Sequence, residues 1–205
     1  MPLNPAIKHT VAKKLEEYEG RYNHLYLDTV GKVTVGIGHL IPDRHAITTI
    51  PMYNTQNGIA TTPATTAEKQ QEFDHISKQK RNFRAKWYKQ YCKLIMKDSD
   101  IEIQRDRHIS SFYIELSTLY STANGYAKNF DSFPDKVQLA LFDMIFNIGA
   151  TKLKKQFIKF NKAIQNENWL AASTESHRPQ VSPSRNAYVQ NLLKSAHQTA
   201  VSAQP

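Results

Sequence analysis

Ile7, Val11, Leu15 and Tyr18 recur at helical spacing, so residues from about 6 to 19 predict an amphipathic helix that Gly20 ends. Past Tyr22 the period changes. Val33, Val35 and Ile37 alternate with Thr34, Gly36 and Gly38, which is strand spacing, and Thr29-Val30-Gly31-Lys32 supplies a turn. The prediction is a small antiparallel sheet between Tyr22 and Ile41. Residues 42 to 66, rich in Thr and Asn and broken by Pro42, Pro51 and Pro63, read as a long irregular excursion with room for short strands.

Thr66 is the expected N-cap of a helix beginning at Ala67, with polar, basic helical stretches from there to about Tyr91 and from Asp98 to about Tyr120. The last third is the most regular. Pro134 fits the first turn of a helix carrying Val137, Ala140, Leu141, Met144, Ile145 and Ile148, and Gly149 caps it. That helix is apolar on nearly all sides and should be the buried centre of a helical lobe. Two amphipathic helices follow, Leu153 to Ile164 and Trp169 to Glu175. Ser182-Pro183 opens a final helix to about Ala196, and Gln198 to Pro205 reads as a flexible tail. The fold class expected is α+β and mostly helical. Residues 1–66 form an N-terminal lobe, 67–130 connecting and inserted helices, and 131–197 a C-terminal helical lobe of one domain.

Composition narrows the class without choosing a function. The 205 residues are 40% hydrophobic and 22% charged, which suits a soluble globular chain with a real core. No apolar run approaches the ~20 residues of a membrane-spanning helix; Leu139 to Phe142 is interrupted at once by Asp143. The N-terminal residues show no basic segment followed by an apolar core, so a secretory signal is not expected and delivery would take another route. Cys92 is the only cysteine, which excludes an internal disulfide and zinc-finger spacing; among Tyr88, Tyr91, Leu94 and Ile95 it reads as a packed residue. A net charge of +9 predicts attraction to polyanions: nucleic acid, anionic membrane or bacterial cell wall. Lys78, Lys80, Arg81, Arg84, Lys86 and Lys89 are interleaved with Phe83, Trp87 and Tyr88, read here as a solvated face over an aromatic core stripe.

The candidate chemistry lies between Glu19 and His39. Hydrolysing a glycosidic bond without a metal needs a protonated acid at the leaving oxygen and a carboxylate for water or the sugar carbon. Glu19, in the last turn of the first helix, sits where the helix dipole disfavours a carboxylate, and it borders the apolar face through Leu15. Glu16 and Glu17 lie on other faces and are expected to be solvated. Asp28, just before the turn, suits the ionised partner, although an aspartate there often bonds its own backbone. Thr34 shares one strand face with Gly36 and Gly38, leaving room for a bulky polymer.

The series Glu19-Gly20, Asp28, Thr34 and Gly36-Ile37-Gly38-His39 resembles the motif of the phage-type lysozymes, glycoside hydrolase family 24. The resemblance implies Glu19 as general acid, Asp28 as the carboxylate directing water and Thr34 as its helper. It also implies inversion at the anomeric carbon, with carboxyl groups about 6.5–9.5 Å apart, and a lysozyme-like two-lobed fold. Ala140 to Gly149 is similar to that family's central helix, with Phe146 bordering the cleft. Ser182-Pro183-Ser184-Arg185 resembles a segment whose arginine approaches the catalytic glutamate. Substrate contacts are expected at Gly36, Gly38, Leu40, Phe146 and Asn147. The matched pieces cover roughly the first 40 residues and the last 75; the long 42–130 connection is similar to lysozyme domains of bacterial toxins and secretion-delivered effectors.

What the resemblance implies is a bacteriolytic muramidase acting on peptidoglycan as a monomer, without cofactor, metal or nucleic acid. It is either an endolysin or an effector with a cognate immunity protein, acting on the wall or in the periplasm. His39 reads as a strand-end histidine in a hydrogen bond or ion pair rather than a base, and Arg185 as either a partner of Glu19 or a surface residue. The competing readings are a non-catalytic wall-binding module and a basic nucleic-acid-binding protein.

Overall fold

The computed structural model describes residues 2–203; Gln204 and Pro205, the end of the expected tail, lie outside the described residues. Among the described residues, eight helices and two three-stranded antiparallel sheets make up a mostly helical α+β fold. It divides into two compact units, one of residues 15–107 and the other of residues 1–14 with 108–205.

Helix α1 (Pro5–Glu19) buries Ile7, Val11, Ala12 and Leu15 and ends where Gly20 turns left-handed at φ 74°. The unit of residues 15–107 continues with strands β1 (Tyr22–Leu27), β2 (Val33–Gly36) and β3 (His39–Leu40), in spatial order β1-β2-β3. The sheet forms within the expected Tyr22 to Ile41 stretch, but β2 stops at Gly36: with Gly36 and Gly38 both left-handed, Ile37-Gly38 is the turn to β3 and not a continuation of the strand. A second sheet, β5-β4-β6, uses β4 (Tyr53–Gln56), β5 (Ile59–Pro63) and β6 (Leu94–Ile95), so the Thr- and Asn-rich excursion holds a hairpin of its own. Its turn is Asn57-Gly58, both at positive φ, the dipeptide that a two-residue hairpin loop favours.

Helix α2 (Thr66–Ser77) starts one residue earlier than expected. Thr65 is the cap, because Glu68 stands three residues on and the two close a reciprocal capping box. The helix stops at Ser77 instead of running to Tyr91. Lys78 to Asn82 offers no apolar residue to bury, and Asn82 turns left-handed at φ 68°. A single-turn helix α3 (Ala85–Tyr88) follows. Of the aromatic run, Tyr88 is core; its hydroxyl donates to the Lys80 carbonyl at 2.8 Å. Phe83, at 44% exposure, is not core. Leu25, Val35, Ile47, Met52, Ile76 and Met96 fill the interior of this unit. Cys92 is packed as expected, its thiol donating to the carbonyls of Leu25 and Tyr88 at 3.3 and 3.4 Å; burial first, and then Glu72, push its pKa up.

Helix α4 (Asp98–Leu119) spans the division between the units. The other unit is built on α5 (Asp135–Gln156), α6 (Ile158–Gln165), α7 (Trp169–Glu175) and α8 (Pro183–Ser202). As expected, α5 is its apolar centre: Val137, Ala140, Leu141, Phe142, Met144 and Ile145 are all buried. Each of these side chains except Ala140 contributes roughly 1.5–3 kcal/mol relative to exposure. Gly149 does more than cap. At φ 74° it breaks the helix, and a further helical run continues to Gln156 before Phe157 separates off α6. The final helix opens on the Ser182 cap with Pro183 inside its first turn and reaches Ser202, through residues expected to be frayed. No described helix is long and apolar enough to cross a membrane.

Candidate active site

The first helix ends and the hairpin begins with only Gly20 and Arg21 between them, so Glu19 is delivered directly to the edge of β1. Glu19 is half-buried. A Cβ placed on Gly38 would lie 3.2 Å from Glu19 Oε2 and 3.3 Å from its Cγ. Gly38 is at φ 66°, in the left-handed region, so both its backbone and its missing side chain are needed where it stands.

Asp28 has two faces. Its Oδ1 accepts from the backbone amides of Val30 at 2.9 Å and Lys32 at 2.8 Å, the local turn bond anticipated for an aspartate there. Its Oδ2 has no hydrogen-bond partner among the described residues and belongs to a half-exposed side chain. One oxygen holds the hairpin; the other is presented to solvent.

Strand register decides the remaining positions. Thr34 lies opposite Tyr26 on one side and Leu40 on the other, so these three side chains share a face. Thr34 is 3% exposed and donates to the Lys32 carbonyl at 3.1 Å, which leaves its oxygen as an acceptor. His39 lies opposite Val35 and so extends from the face away from Thr34. Leu40 is 42% exposed.

The sequence pattern passed over Tyr26. Its phenol is buried, and that burial pushes its pKa up, with the carboxylate of Glu19, then Tyr22 and then Asp28 adding to the push; a backbone hydrogen bond with Gly38 opposes it. A single phenol thus feels both proposed catalytic carboxylates. A turn over Thr29 to Lys32 would have put Leu27 opposite Thr34; the hairpin instead closes on a three-residue loop, with the Asp28 N–H bonded to the Lys32 carbonyl, and this brings Tyr26 opposite Thr34. Tyr22 packs beside it, ring centroids 5.1 Å apart. Arg81 was also missed. Its side chain lies over the hairpin turn, with Nε 2.6 Å from where a Cβ of Gly31 would stand.

Two expectations need correction. The glycine face does not leave an open wall: Gln104 Oε1 occupies the space at Gly36, 2.6 Å from a Cβ there, and Glu19 occupies that at Gly38. Nor is Glu16 merely solvated. It accepts from Arg21 at 3.0 Å and Arg105 at 2.7 Å, and Arg21 reaches on to Asp98 and Glu102.

Phe146, Asn147 and Arg185 belong to the other unit. Phe146 is half-buried, edge-on to Phe112 at 5.6 Å, with the Arg185 guanidinium 5.9 Å over its ring. Asn147 Oδ1 is buried without a hydrogen-bond partner among the described residues. Arg185 is no surface residue. It is 6% exposed and donates to Asp143 at 2.9 Å, while the fully buried Arg178 holds the other oxygen of Asp143 at 2.7 Å. The acid that interrupts the apolar helix is thus the centre of a buried Arg-Asp-Arg triad.

No protein-family model matches the chain, and no curated protein matches it.

Proposed function

We propose that the chain is a peptidoglycan hydrolase, a muramidase cleaving the β-1,4 bond between N-acetylmuramic acid and N-acetylglucosamine. The observation that carries this reading is the placement of two acids on one short hairpin: Glu19 packed against Gly38, and Asp28 with Oδ1 tied to the turn and Oδ2 without a hydrogen-bond partner among the described residues. In this mechanism Glu19 donates its proton to the leaving glycosidic oxygen. Oδ2 of Asp28 takes a proton from the attacking water, whose oxygen bonds to the anomeric carbon on the opposite face of the sugar. Thr34, through its free acceptor lone pairs, orients that water. Gly38 keeps the Glu19 side chain where it stands, and Leu40 offers an exposed apolar contact for a sugar ring.

The same reading takes the fold as lysozyme-like, the anomeric outcome as inversion, and the biological role as bacteriolysis by an endolysin or a delivered effector, the latter opposed by an immunity protein. Digestion of purified sacculi followed by mass spectrometry tests it. The expected products are disaccharide-peptides with reducing N-acetylmuramic acid ends. Intact glycan strands, or cleavage confined to amide bonds, would refute it.

A further inference from the structure

Helix α2 turns Glu68, Gln71, Glu72 and His75 to one side, at spacings of three and four residues. With Asn54, Tyr91, Lys93 and Leu94 they line a concavity of about 410 Å³ that contains none of the proposed catalytic residues. At its edge a chain of rings begins. His75 and Tyr91 are 6.1 Å apart, Tyr91 and Trp87 4.8 Å, and Trp87 and Phe83 are stacked at 4.0 Å. Phe83 and His75 are exposed, and Trp87 and Tyr91 half-exposed. Lys78, Lys80, Arg84, Lys86 and Lys89, interleaved in sequence with the strip, are all exposed.

We propose that this face is a second glycan-binding surface, which takes an extended amino-sugar strand along the Phe83-Trp87-Tyr91 strip and one sugar into the concavity. Phe83 and Trp87 cover one another's facing sides at 4.0 Å, so what the strip offers the C–H faces of pyranose rings is the outer side of Phe83 and the half-exposed parts of Trp87 and Tyr91. The pocket supplies amide and carboxylate groups suited to hydroxyls and acetamido N–H groups: Asn54, Gln71 and Glu68. Glu72 forms the pocket floor. It is 6% exposed, and its carboxylate is fixed by the backbone amides of Lys93 at 2.6 Å and Leu94 at 3.1 Å.

Rings interleaved with cations would also suit single-stranded nucleic acid. The lining of the concavity decides against it: the acids Glu68 and Glu72 stand there beside the amides of Asn54 and Gln71, a setting suited to sugar hydroxyls and not to a phosphate. The exposed cations interleaved in sequence with the strip then serve the carboxylates of wall stem peptides. The identity of the glycan rests on the peptidoglycan reading; the surface does not depend on the catalytic assignment.

The test uses the full chain carrying Glu19→Gln, so that bound glycan survives. Of its two tryptophans Trp169 is 3% exposed, so external quenching of fluorescence reports Trp87. Chitotetraose is expected to shield Trp87 from iodide. Adding Trp87→Ala is expected to weaken cosedimentation with sacculi at least tenfold, and Gln71→Ala, at an exposed position that leaves folding intact, several-fold. In the otherwise wild-type chain, Trp87→Ala should leave hydrolysis of soluble oligosaccharides unchanged. Sacculus binding within twofold of the parent for both variants would overturn the proposal. So would protection of Trp87 by an oligothymidylate but not by chitotetraose, which would mark a nucleic-acid surface. A wild-type chain that cleaves no wall while chitotetraose still shields Trp87 would sink the muramidase reading and leave this one standing.

Discussion

Gly38 and Glu19 fit against each other so closely that a methyl group on the glycine would stand 3.2 Å from the glutamate Oε2. The positive φ of Gly38 adds a backbone cost to that contact. Gly38→Ala is therefore expected to lose about 1–2 kcal/mol of stability from the left-handed backbone. It should also lose at least about tenfold in kcat, near 1.4 kcal/mol of barrier, because Glu19 must shift. Urea unfolding and muropeptide release measure the two losses; full activity in the variant would show that the position of Glu19 is not critical.

Among the acidic residues, charge and shape should separate cleanly. Glu19→Gln keeps the side chain's outline and removes its proton, so turnover should vanish with the fold intact. Asp28→Asn retains the Oδ1 acceptor for the Val30 and Lys32 amides and should be stable but nearly inactive. Asp28→Ala loses those bonds as well and should cost a further 1–3 kcal/mol or so of stability. Glu16→Gln should keep its activity yet lose up to about 1 kcal/mol through Arg21 and Arg105. Equal stability of Asp28→Asn and Asp28→Ala would contradict the hairpin role.

Asp143 sits between Arg178 and Arg185, with Arg178 fully buried. Replacing Arg178 by Met leaves that aspartate with half its compensation in the interior. The expected loss is roughly 3–5 kcal/mol, read as a lower thermal midpoint. A midpoint within a degree of wild type would mean that the triad does not hold this unit together.

Glu72 should make stability fall with rising pH. Burial pushes its carboxyl from 4.5 up to about 7, against the opposing hydrogen bonds of the Lys93 and Leu94 amides. Between those values the folded chain holds a proton that the unfolded chain has released, so the contribution of Glu72 is full in acid and is lost as pH rises through about 7. The span is at most about 3 kcal/mol. Glu72→Gln removes the titration, and the difference between wild type and variant, followed by urea unfolding from pH 4 to 8, should decline steadily toward alkali. A constant difference would place Glu72 in an ordinary, solvated setting.

Where period and burial agree, the sequence was readable: the alternation of Val33 and Val35, the apolar positions of α5 and the Ser182-Pro183 start of α8 became the expected elements, whereas Ile37 fell in the turn after β2. The errors came where a local signal met a competing one. Thr65 and Thr66 are equal as caps until Glu68 is counted from each, and only Thr65 stands at the distance its carboxylate can close. Gly36 and Gly38 were legible as a small-residue face, but what fills a missing side chain comes from elsewhere in the chain. Gln104 is sixty-eight positions away from Gly36. Arg178 carried no pattern at all, because a buried arginine is explained only by the acid it meets. The pairing of Tyr26 with Thr34 depends on the loop being one residue shorter than the Thr29 to Lys32 turn, because Lys32 pairs back to Asp28.

The setting of Cys92 gives the chain an internal clock. The lone thiol donates to two backbone carbonyls, and burial holds its pKa up, so thiolate is disfavoured while β1 packs against the 88–92 segment. Alkylation of the native protein will therefore run at the rate, or to the extent, that this region opens, with a single site and no ambiguity of assignment. Whatever docks on the neighbouring aromatic strip should slow that clock, and a variant that loosens the hairpin should hasten it.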